Sequence, residues 1–505
     1  MNKKKKDWFK ARGYLHITNK IPSKKRDKTQ KYVSDPRKVS IHKFSPLIYK
    51  EINQRRFKKG YFGEEVKRSH KKIKDGKVIS NKKIRPILFA THLDANIYAY
   101  YSKEVLGEKY ENYLKAKPIL SNSITAYRSI ETEDKKGHKN NIHFAKDAFD
   151  EIRKRKECVA LAIDIESFFN NLNHKKLKHY WKNLMKDEWG DDHFNIFKSV
   201  TRFSFIKLSD LKTNGIHFDE KKLSFNRKVG KQSFFISFRE FLESGIRIYK
   251  NQRKTKKLTN GKRELIGIPQ GLPISALLAN IYMLNFDEFI IEELVKKNDC
   301  FYRRYSDDIV LICNQNQIEY VLKTVEDEIK KYHLSIGIDK TEKTLFKTET
   351  IGKKERLQCY GFKNNQPTEF NLPFNYLGFE FYGYQTLIKS KNLASFYRDM
   401  KDSVRRKSKR IERIKEISQI EEAPIFKRKI YRLYSFKGAK TNKDRRLGSN
   451  RYDAKGEEIT RKYRGNFIRY AYKASEIMEA PEIKRQVRNH WKILQKSISK
   501  HDFSN

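Results

Sequence analysis

Cysteine is scarce in this chain: four in 505 residues, at Cys158, Cys300, Cys313 and Cys359. None stands in a CxxC spacing, which excludes zinc knuckles and a disulfide framework and fits a reducing cytoplasm. Each reads as a small buried hydrophobe. Long apolar runs are missing too, and no stretch approaches the ~20 residues that a membrane span needs. The start, MNKKKKDWFK, is basic but no apolar segment follows it, so no signal peptide is expected. Neither end carries the basic amphipathic segment of a membrane-surface protein. There is no internal repeat and no long low-complexity tract. Negative charge is the largest deficit: 61 Asp+Glu face 112 Lys+Arg, a formal net charge of +51. That balance excludes, as the default, an enzyme of small neutral metabolites and points to a polyanionic partner.

What is present is enough apolar material to build cores, 38% hydrophobic and 13% aromatic. The length allows about three domains. Residues 1–80 read as a basic extension with turn signals at Pro36-Arg37 and Asp75-Gly76. A helical pattern runs from about Leu88 to Tyr113, and 158–170 and 301–313 read as strands. Between Lys175 and Lys262 lies a mainly helical insert that ends in a Lys-rich loop, Lys250 to Arg263. After about residue 385 the chain becomes basic and helical, broken by a polar stretch from Lys437 to Glu458, read as a mobile loop.

Two carboxylate sites stand out. In CVALAIDIESFFNN the period of two places Ala160, Ala162 and Asp164 on one strand face and Val159, Leu161 and Ile163 on the other. Burying an unpaired carboxylate at a strand end is costly, and a divalent cation would remove that cost. An Asp that merely caps the next turn is the alternative. FYRRYSDDIVLIC then supplies two short strands about a turn at the acidic pair Asp307-Asp308. Adjacent carboxylates between apolar strands repel each other unless a cation lies there. Carboxylates from separate strands suit two-metal phosphoryl transfer, and all-oxygen ligands suit magnesium.

At these residues the chain resembles a reverse transcriptase. Asp164 with Phe168-Phe169 is similar to the first palm motif of that family, and Tyr305-Ser306-Asp307-Asp308 to the third. Pro269-Gln270-Gly271-Leu272-Pro273-Ile274-Ser275, with Ala279-Asn280, resembles the second. Asn375-Tyr376-Leu377-Gly378-Phe379 resembles the primer-grip hairpin, and Arg85-Pro86 and Ala126-Tyr127-Arg128 the two fingers motifs. These stand in the family's order over roughly residues 80–385. The resemblance implies an α+β, right-hand polymerase: fingers at 81–157 and a palm at 158–350 whose antiparallel sheet carries the catalytic Asp residues. The helical insertion at about 175–262 interrupts that palm. A primer-grip hairpin at 351–385 and a basic helical thumb and C-terminal region at 386–505 complete it.

The resemblance also assigns roles. Asp164, Asp307 and Asp308 are the expected catalytic residues, and with Ile165 they form the expected set for two Mg²⁺ ions. Arg85, Arg128, Phe169, Gln270, Gly271 and Lys343 are the expected nucleotide-binding residues, with Phe169 as a steric gate against the ribose 2′-hydroxyl. Gly271 lets the backbone come close to a nucleotide, and Ser275 reads as the cap of the following helix. Lys343, in Asp339-Lys340-Thr341-Glu342-Lys343-Thr344, resembles the fourth palm motif, with Lys340 as its rival. Tyr376, Leu377 and Gly378 are the expected primer grip. Lys401, Arg405, Lys409 and Arg413 recur every four residues and form a nucleic-acid-binding stripe, with Met400, Val404, Ile411 and Ile414 as a partial apolar face. GNFIRYAYKASEIM interleaves aromatic and basic residues as a stacking and phosphate-binding surface would, and reads equally, and by preference, as an amphipathic core helix.

Departures from the family narrow the class. Gln270 follows Asp164 by 106 positions (270 − 164), a long spacing that marks an insertion. No Cys/His-rich nuclease, RNase H or integrase constellation is evident. With the RGYLH segment at Arg12, the chain resembles the bacterial "unknown group" or abortive-infection class, associated with phage defence. The expectation is a cytoplasmic, Mg²⁺-dependent RNA-directed DNA polymerase that copies a partner non-coding RNA with dNTPs into a DNA product. A homo-oligomer stays open, and no membrane is involved. A catalytically vestigial RNA-binding scaffold and an RNA-dependent RNA polymerase are the alternatives. Tyr431, Tyr434, Tyr463, Tyr470 and Tyr472 offer hydroxyls for protein priming.

Overall fold

The computed structural model describes residues 7–501 except 56–57, 63–64, 70, 75–76, 81, 136, 252–254, 258–260, 262, 338–340, 353, 364–365, 420–426, 440–443, 447–459 and 463–464. Several sequence features therefore lie outside the described residues: the N-terminal lysines, Asp75-Gly76, parts of the Lys250–Arg263 loop, Asp339-Lys340, Tyr463 and most of 437–458.

The elements that matter for function are, in chain order, β1 (Leu47–Arg55), β2 (Lys82–Phe89), α1 (Asn141–Arg155), β3 (Cys158–Asp164), β4 (Ser204–Lys207), β5 (Tyr249–Lys250), β6 (Phe301–Tyr305), β7 (Asp308–Cys313), β8 (Glu342–Ile351), β9 (Lys354–Lys363), β10 (Gln366–Phe370), β11 (Phe374–Tyr376), β12 (Phe379–Phe381), β13 (Thr386–Ile388) and α2 (Ser390–Ser418). They belong to two compact units. The first takes 1–122, 165–289 and 326–336, and the second 123–164, 290–325 and 337–505.

The first unit is built on a four-stranded sheet in the order β2-β1-β4-β5. Alternation sends Ile48 and Ile206 into a core with Phe234, Phe235 and Phe241. The 175–262 insert is therefore not only helical. It carries helices such as His174–Met185 and Asp191–Thr201, but also β4, which pairs parallel with β1, and β5, which pairs with β4. Pairing with a strand about 150 residues upstream leaves no local signal. The Leu88–Tyr113 reading shifts as well. Leu88 belongs to β2, and the helix starts at His92 behind the Thr91 cap. Pro36 opens a short helix, Pro36–Ser40, capped by the Asp35 carboxylate, rather than a turn.

The second unit carries a six-stranded antiparallel sheet in the order β6-β7-β3-β8-β9-β10 and a three-stranded sheet β11-β12-β13. Helix α1 starts with a reciprocal cap: the Asn140 side chain accepts from the Ile142 amide and His143 Nδ1 accepts from the Asn140 amide. Its apolar stripe, Ala145, Ala148, Phe149 and Ile152, packs against Ala160, Val310 and Ile312 of the sheet. Phe149 stacks on Phe381 at 4.6 Å between ring centres, which ties the small sheet to the same core. The 29-residue α2 buries Met400 and Val404 and half-buries Ile411, while Ile414 stays exposed. Lys401, Arg405, Lys409 and Arg413 all face solvent, with Arg405 paired to Asp402 at 2.8 Å. The segment Phe467–Ile477 is a core helix that buries Ile468, Ala471 and Ala474.

Two boundaries differ from the sequence reading. The strand from Cys158 stops at Asp164, because Ser167 takes φ +49° and a helical turn follows at Phe168–Asn171. Ser275 is not a cap: Ile274 holds that place, and the Ser275 hydroxyl donates to the Pro269 carbonyl at 2.6 Å. All four cysteines are free and buried, and burial raises the thiols of Cys158, Cys313 and Cys359 to about 12. Among the described residues no helix is long and apolar enough to cross a membrane.

Candidate active site

Strands β3 and β7 lie side by side with Asp164 directly opposite Asp308. Opposed antiparallel residues hold their β-carbons about 5 Å apart, so the two carboxylates share one end of one sheet face. Strands β6 and β7 close on Tyr305 and Asp308, which leaves Ser306-Asp307 as a two-residue turn. Ser306 sits at φ +63°, a left-handed conformation costly for any residue but glycine. The acidic pair thus stands on a strained turn at the end of the sheet.

The carboxylates feel one another. Burial, then the charge of Asp307, then that of Asp164 push the Asp308 carboxyl up to about 7, and Lys389 opposes the shift. Asp308 keeps an opening to solvent, because it stands at the mouth of a cavity of about 520 Å³. That cavity unites Asp164 and Asp308 with Tyr376, Leu377 and Gly378, the expected primer grip. There Leu377 and Gly378, at φ +43° and +94°, form the two-residue turn between β11 and β12. Asn141 of α1 holds the Leu377 carbonyl at 3.2 Å. Tyr376 is buried, and among the described residues its hydroxyl has no hydrogen-bond partner.

Three polar lining residues carried no flag in the sequence. Glu342 pairs with Ala162 across β8 and β3 and faces the cavity. Lys343, its neighbour, is turned by the alternation to the opposite sheet face and is not in the lining. Lys389, just before α2, is the one cation in the lining among the described residues, and Asn141 adds an amide.

A second group supports the turn. Arg304 is fully buried in β6 and its guanidinium donates to the Ser306 carbonyl at 3.1 Å. The Arg304 carbonyl accepts from both the amide and the hydroxyl of Thr125, each at 3.0 Å. Tyr127, two residues on, donates its hydroxyl to Ser306 Oγ at 3.2 Å. Arg128 donates to the carbonyl of Ile124 at 2.8 Å, so its guanidinium serves its own loop in this structure. Arg304→Met strips the Ser306 carbonyl of a buried donor. The expected cost is about 1–3 kcal/mol of stability, read as a lower melting temperature. It is accompanied by loss of order at the Ser306-Asp307 turn, read by hydrogen exchange.

The remaining expected residues fall in the first unit. Phe168 is buried and Phe169 half-buried, with the Phe169 carbonyl accepting from the Ile268 amide at 2.9 Å. Gly271 has φ +111°, and a β-carbon there would come within 2.5 Å of the Leu88 carbonyl oxygen. The close approach that needs glycine is therefore to β2. The Leu88 amide donates to the Gln270 carbonyl at 2.8 Å, which docks this loop on the sheet. Arg85 is exposed on β2. Ile165 is buried and bridges to Ile336.

Among the described residues no three His, Cys, Asp or Glu side chains stand close enough to chelate one ion. The donor chemistry nevertheless suits a hard divalent cation. The donors are all oxygen, two carboxylates face each other across strands, and burial together with the charges of Asp307 and Asp164 raises the Asp308 carboxyl to about 7.

The sequence profile of the reverse transcriptase (RNA-dependent DNA polymerase) family matches residues 74–381. The antiparallel sheet with its acidic hairpin belongs to a right-hand polymerase fold of mixed helices and sheets. Among solved structures, the apo telomerase of Candida tropicalis, truncated from its C-terminal domain, shares 11% identity at a TM-score of 0.35. That match covers 68% of this chain and 55% of the telomerase. The Candida albicans telomerase, solved with the TWJ fragment of telomeric RNA, shares 11% identity at a TM-score of 0.36. It covers 97% of this chain and 72% of that one. The chain thus spans little more than half the length of the first of these.

Proposed function

Because this chain belongs to the reverse transcriptase (RNA-dependent DNA polymerase) family, we propose that it is an RNA-directed DNA polymerase whose reaction centre is Asp164, Asp307 and Asp308. The observation that carries this reading is the opposition of Asp164 and Asp308 across two strands, in one cavity with the Tyr376–Gly378 hairpin. Asp164, Asp307 and Asp308 would hold two Mg²⁺ ions, with Glu342 as a nearby further oxygen donor. Bound there, the ions supply a more acidic primer 3′-hydroxyl and charge neutralisation at the departing pyrophosphate.

The chain's own residues do the rest. The Leu377-Gly378 turn, pinned by Asn141, positions the primer end. Lys389 offers a cation for a phosphate at the cavity wall. Phe169, half-buried beside core Phe168, acts as the gate against a ribose 2′-hydroxyl, and Gln270 and Gly271 contact the nucleotide or template. The exposed row Lys401, Arg405, Lys409 and Arg413 on α2 binds the nucleic-acid backbone. The four buried free thiols suit a cytoplasmic setting. The likeness to the abortive-infection class extends the reading to phage defence, with a partner non-coding RNA as template. A Tyr434 or Tyr472 hydroxyl is a candidate primer.

Primer extension on a defined RNA template tests the activity. Wild type incorporates deoxynucleotides and discriminates strongly against ribonucleotides, and Phe169→Ala narrows that discrimination at least ~10-fold. Equal use of both nucleotides by the wild type contradicts the gate. Failure to extend at all contradicts the polymerase.

A further inference from the structure

The four-stranded sheet of the first unit has one face in the core and one face half open. Ile48 and Ile206 are fully buried on the inner face. On the other face Tyr49 of β1, Phe205 of β4 and Tyr249 of β5 are only half-buried. Their rings run side by side across three adjacent strands. Tyr49 and Phe205 are 5.3 Å apart between ring centres, and Phe205 and Tyr249 are 5.4 Å apart and nearly parallel. The row borders an open groove of about 430 Å³ whose lining also includes Gln270. Lys207 Nζ lies 4.7 Å and the exposed Arg247 guanidinium 5.0 Å from the Tyr249 ring centre. The Tyr49 hydroxyl is fixed on Glu51 at 2.9 Å.

We propose that this aromatic row is a stacking platform for single-stranded RNA, an unpaired stretch of the template, contributed largely by the 175–262 insert. The proposal rests on the polymerase reading for the identity of the strand. Three strands at about 4.8 Å spacing give a row long enough for two or three bases. Stacking on half-exposed rings flanked by cations is the chemistry by which single strands are held without sequence preference. Arg247, planar and cationic, occupies the Tyr249 ring as a base would, and on displacement it meets a phosphate. Leu47 and Leu88 on the same face are buried, whereas the three rings stay half-exposed with cations against Tyr249. A duplex is a poor occupant, since its bases are not free to stack.

Anisotropy titration of a labelled single-stranded RNA 12-mer with the full chain tests the platform. It is run without deoxynucleotides or divalent metal, so the outcome does not depend on catalysis. Tyr249→Ala weakens binding about 10-fold and Tyr249→Trp restores it to within about 2-fold. Arg247→Ala weakens it less and lowers the salt dependence by about one charge. An oligomer with abasic sites loses the difference between wild type and Tyr249→Ala. In wild type, 4-thiouridine in the 12-mer crosslinks to Ser204–Lys207 or Tyr249–Lys250, a readout that needs no variant to fold. Unchanged affinity in Tyr249→Ala, the same loss with abasic RNA, or crosslinks confined to other segments each overturn the platform. A normal platform in a protein that extends no primer overturns only the polymerase reading.

Discussion

Asp308→Asn is expected to melt at a higher temperature than the wild type in metal-free buffer at pH 8, and to incorporate no measurable deoxynucleotide. Burial and the charges of Asp307 and Asp164 raise the Asp308 carboxyl to about 7 in the folded protein, above its ordinary value near 4. A raised carboxyl contributes stability that is complete below about pH 4 and lost as the pH climbs through about 7. At pH 8 the folded wild type therefore bears the cost of a desolvated charge and of its repulsion by Asp307 and Asp164, which the neutral amide removes. Allowing for solvent at the cavity mouth, the gain is on the order of 1–2 kcal/mol. Millimolar Mg²⁺ should raise the wild-type melting temperature and leave the variant nearly unmoved, because ligand binding stabilises only a state that binds it. Loss of an oxygen ligand should lower incorporation by ~10³-fold or more, a barrier increase of about 4 kcal/mol. Calorimetry across pH 4–8 and primer extension check the two halves separately. A variant less stable than the wild type at pH 8 removes the claim that these carboxylates are gathered against their own repulsion.

The second large effect is expected at Gly271. Its φ of +111° is one that side chains rarely adopt, and an added β-carbon meets the Leu88 carbonyl oxygen at 2.5 Å and Ile87 Cγ2 at 2.9 Å. Both partners belong to β2, a paired strand that cannot retreat without losing its register with β1. Gly271→Ala should cost about 3–4 kcal/mol, from backbone strain and from opening the 2.8 Å bond between the Leu88 amide and the Gln270 carbonyl. Denaturant unfolding reads the first, and faster exchange of the Leu88 amide reads the second. Gly13→Ala, where a new methyl group meets nothing within 4 Å, is the neutral control. Equal stability of the two variants contradicts the docking of the Gln270-Gly271 loop on the sheet.

The carboxylates could be read from the chain because their signals are local. Alternating small residues lead to Asp164, and two adjacent aspartates interrupt apolar strands. The turn lies one residue earlier than the acidic pair suggests, at Ser306-Asp307, with Asp308 already in β7. The rest of the cavity carries no such signal. Glu342 and Lys389 meet Asn141 there from more than 200 positions further along the chain, and Lys389 is one of 112 basic residues. In the DKTEKT segment the lysines drew attention, yet strand alternation turns Glu342 to the cavity and Lys343 away from it. Nothing in the sequence sets Arg304 apart from the other basic residues, and only its complete burial beneath the Ser306 carbonyl reveals its use. Strand β3 was read six residues too long because apolar residues continue past Asp164, while the left-handed Ser167 ends the strand. The aromatic row on the first sheet was invisible for a related reason. Its rings come from β1, β4 and a two-residue β5, joined by pairings that no local window contains.

The excess of positive charge takes on a layout in the structure. Acidic groups gather at the sheet end, where Asp164 and Asp308 face each other, while exposed lysines and arginines line α2 and the exposed Arg247 lies against Tyr249. The most direct test of that centre is single-turnover extension of an RNA-templated primer by the full chain, with Mg²⁺ present or chelated and with Asp307→Ala alongside. The account predicts deoxynucleotide addition that requires Mg²⁺ and disappears in Asp307→Ala while the variant stays folded. Addition that survives either chelation or the Asp307 substitution contradicts it.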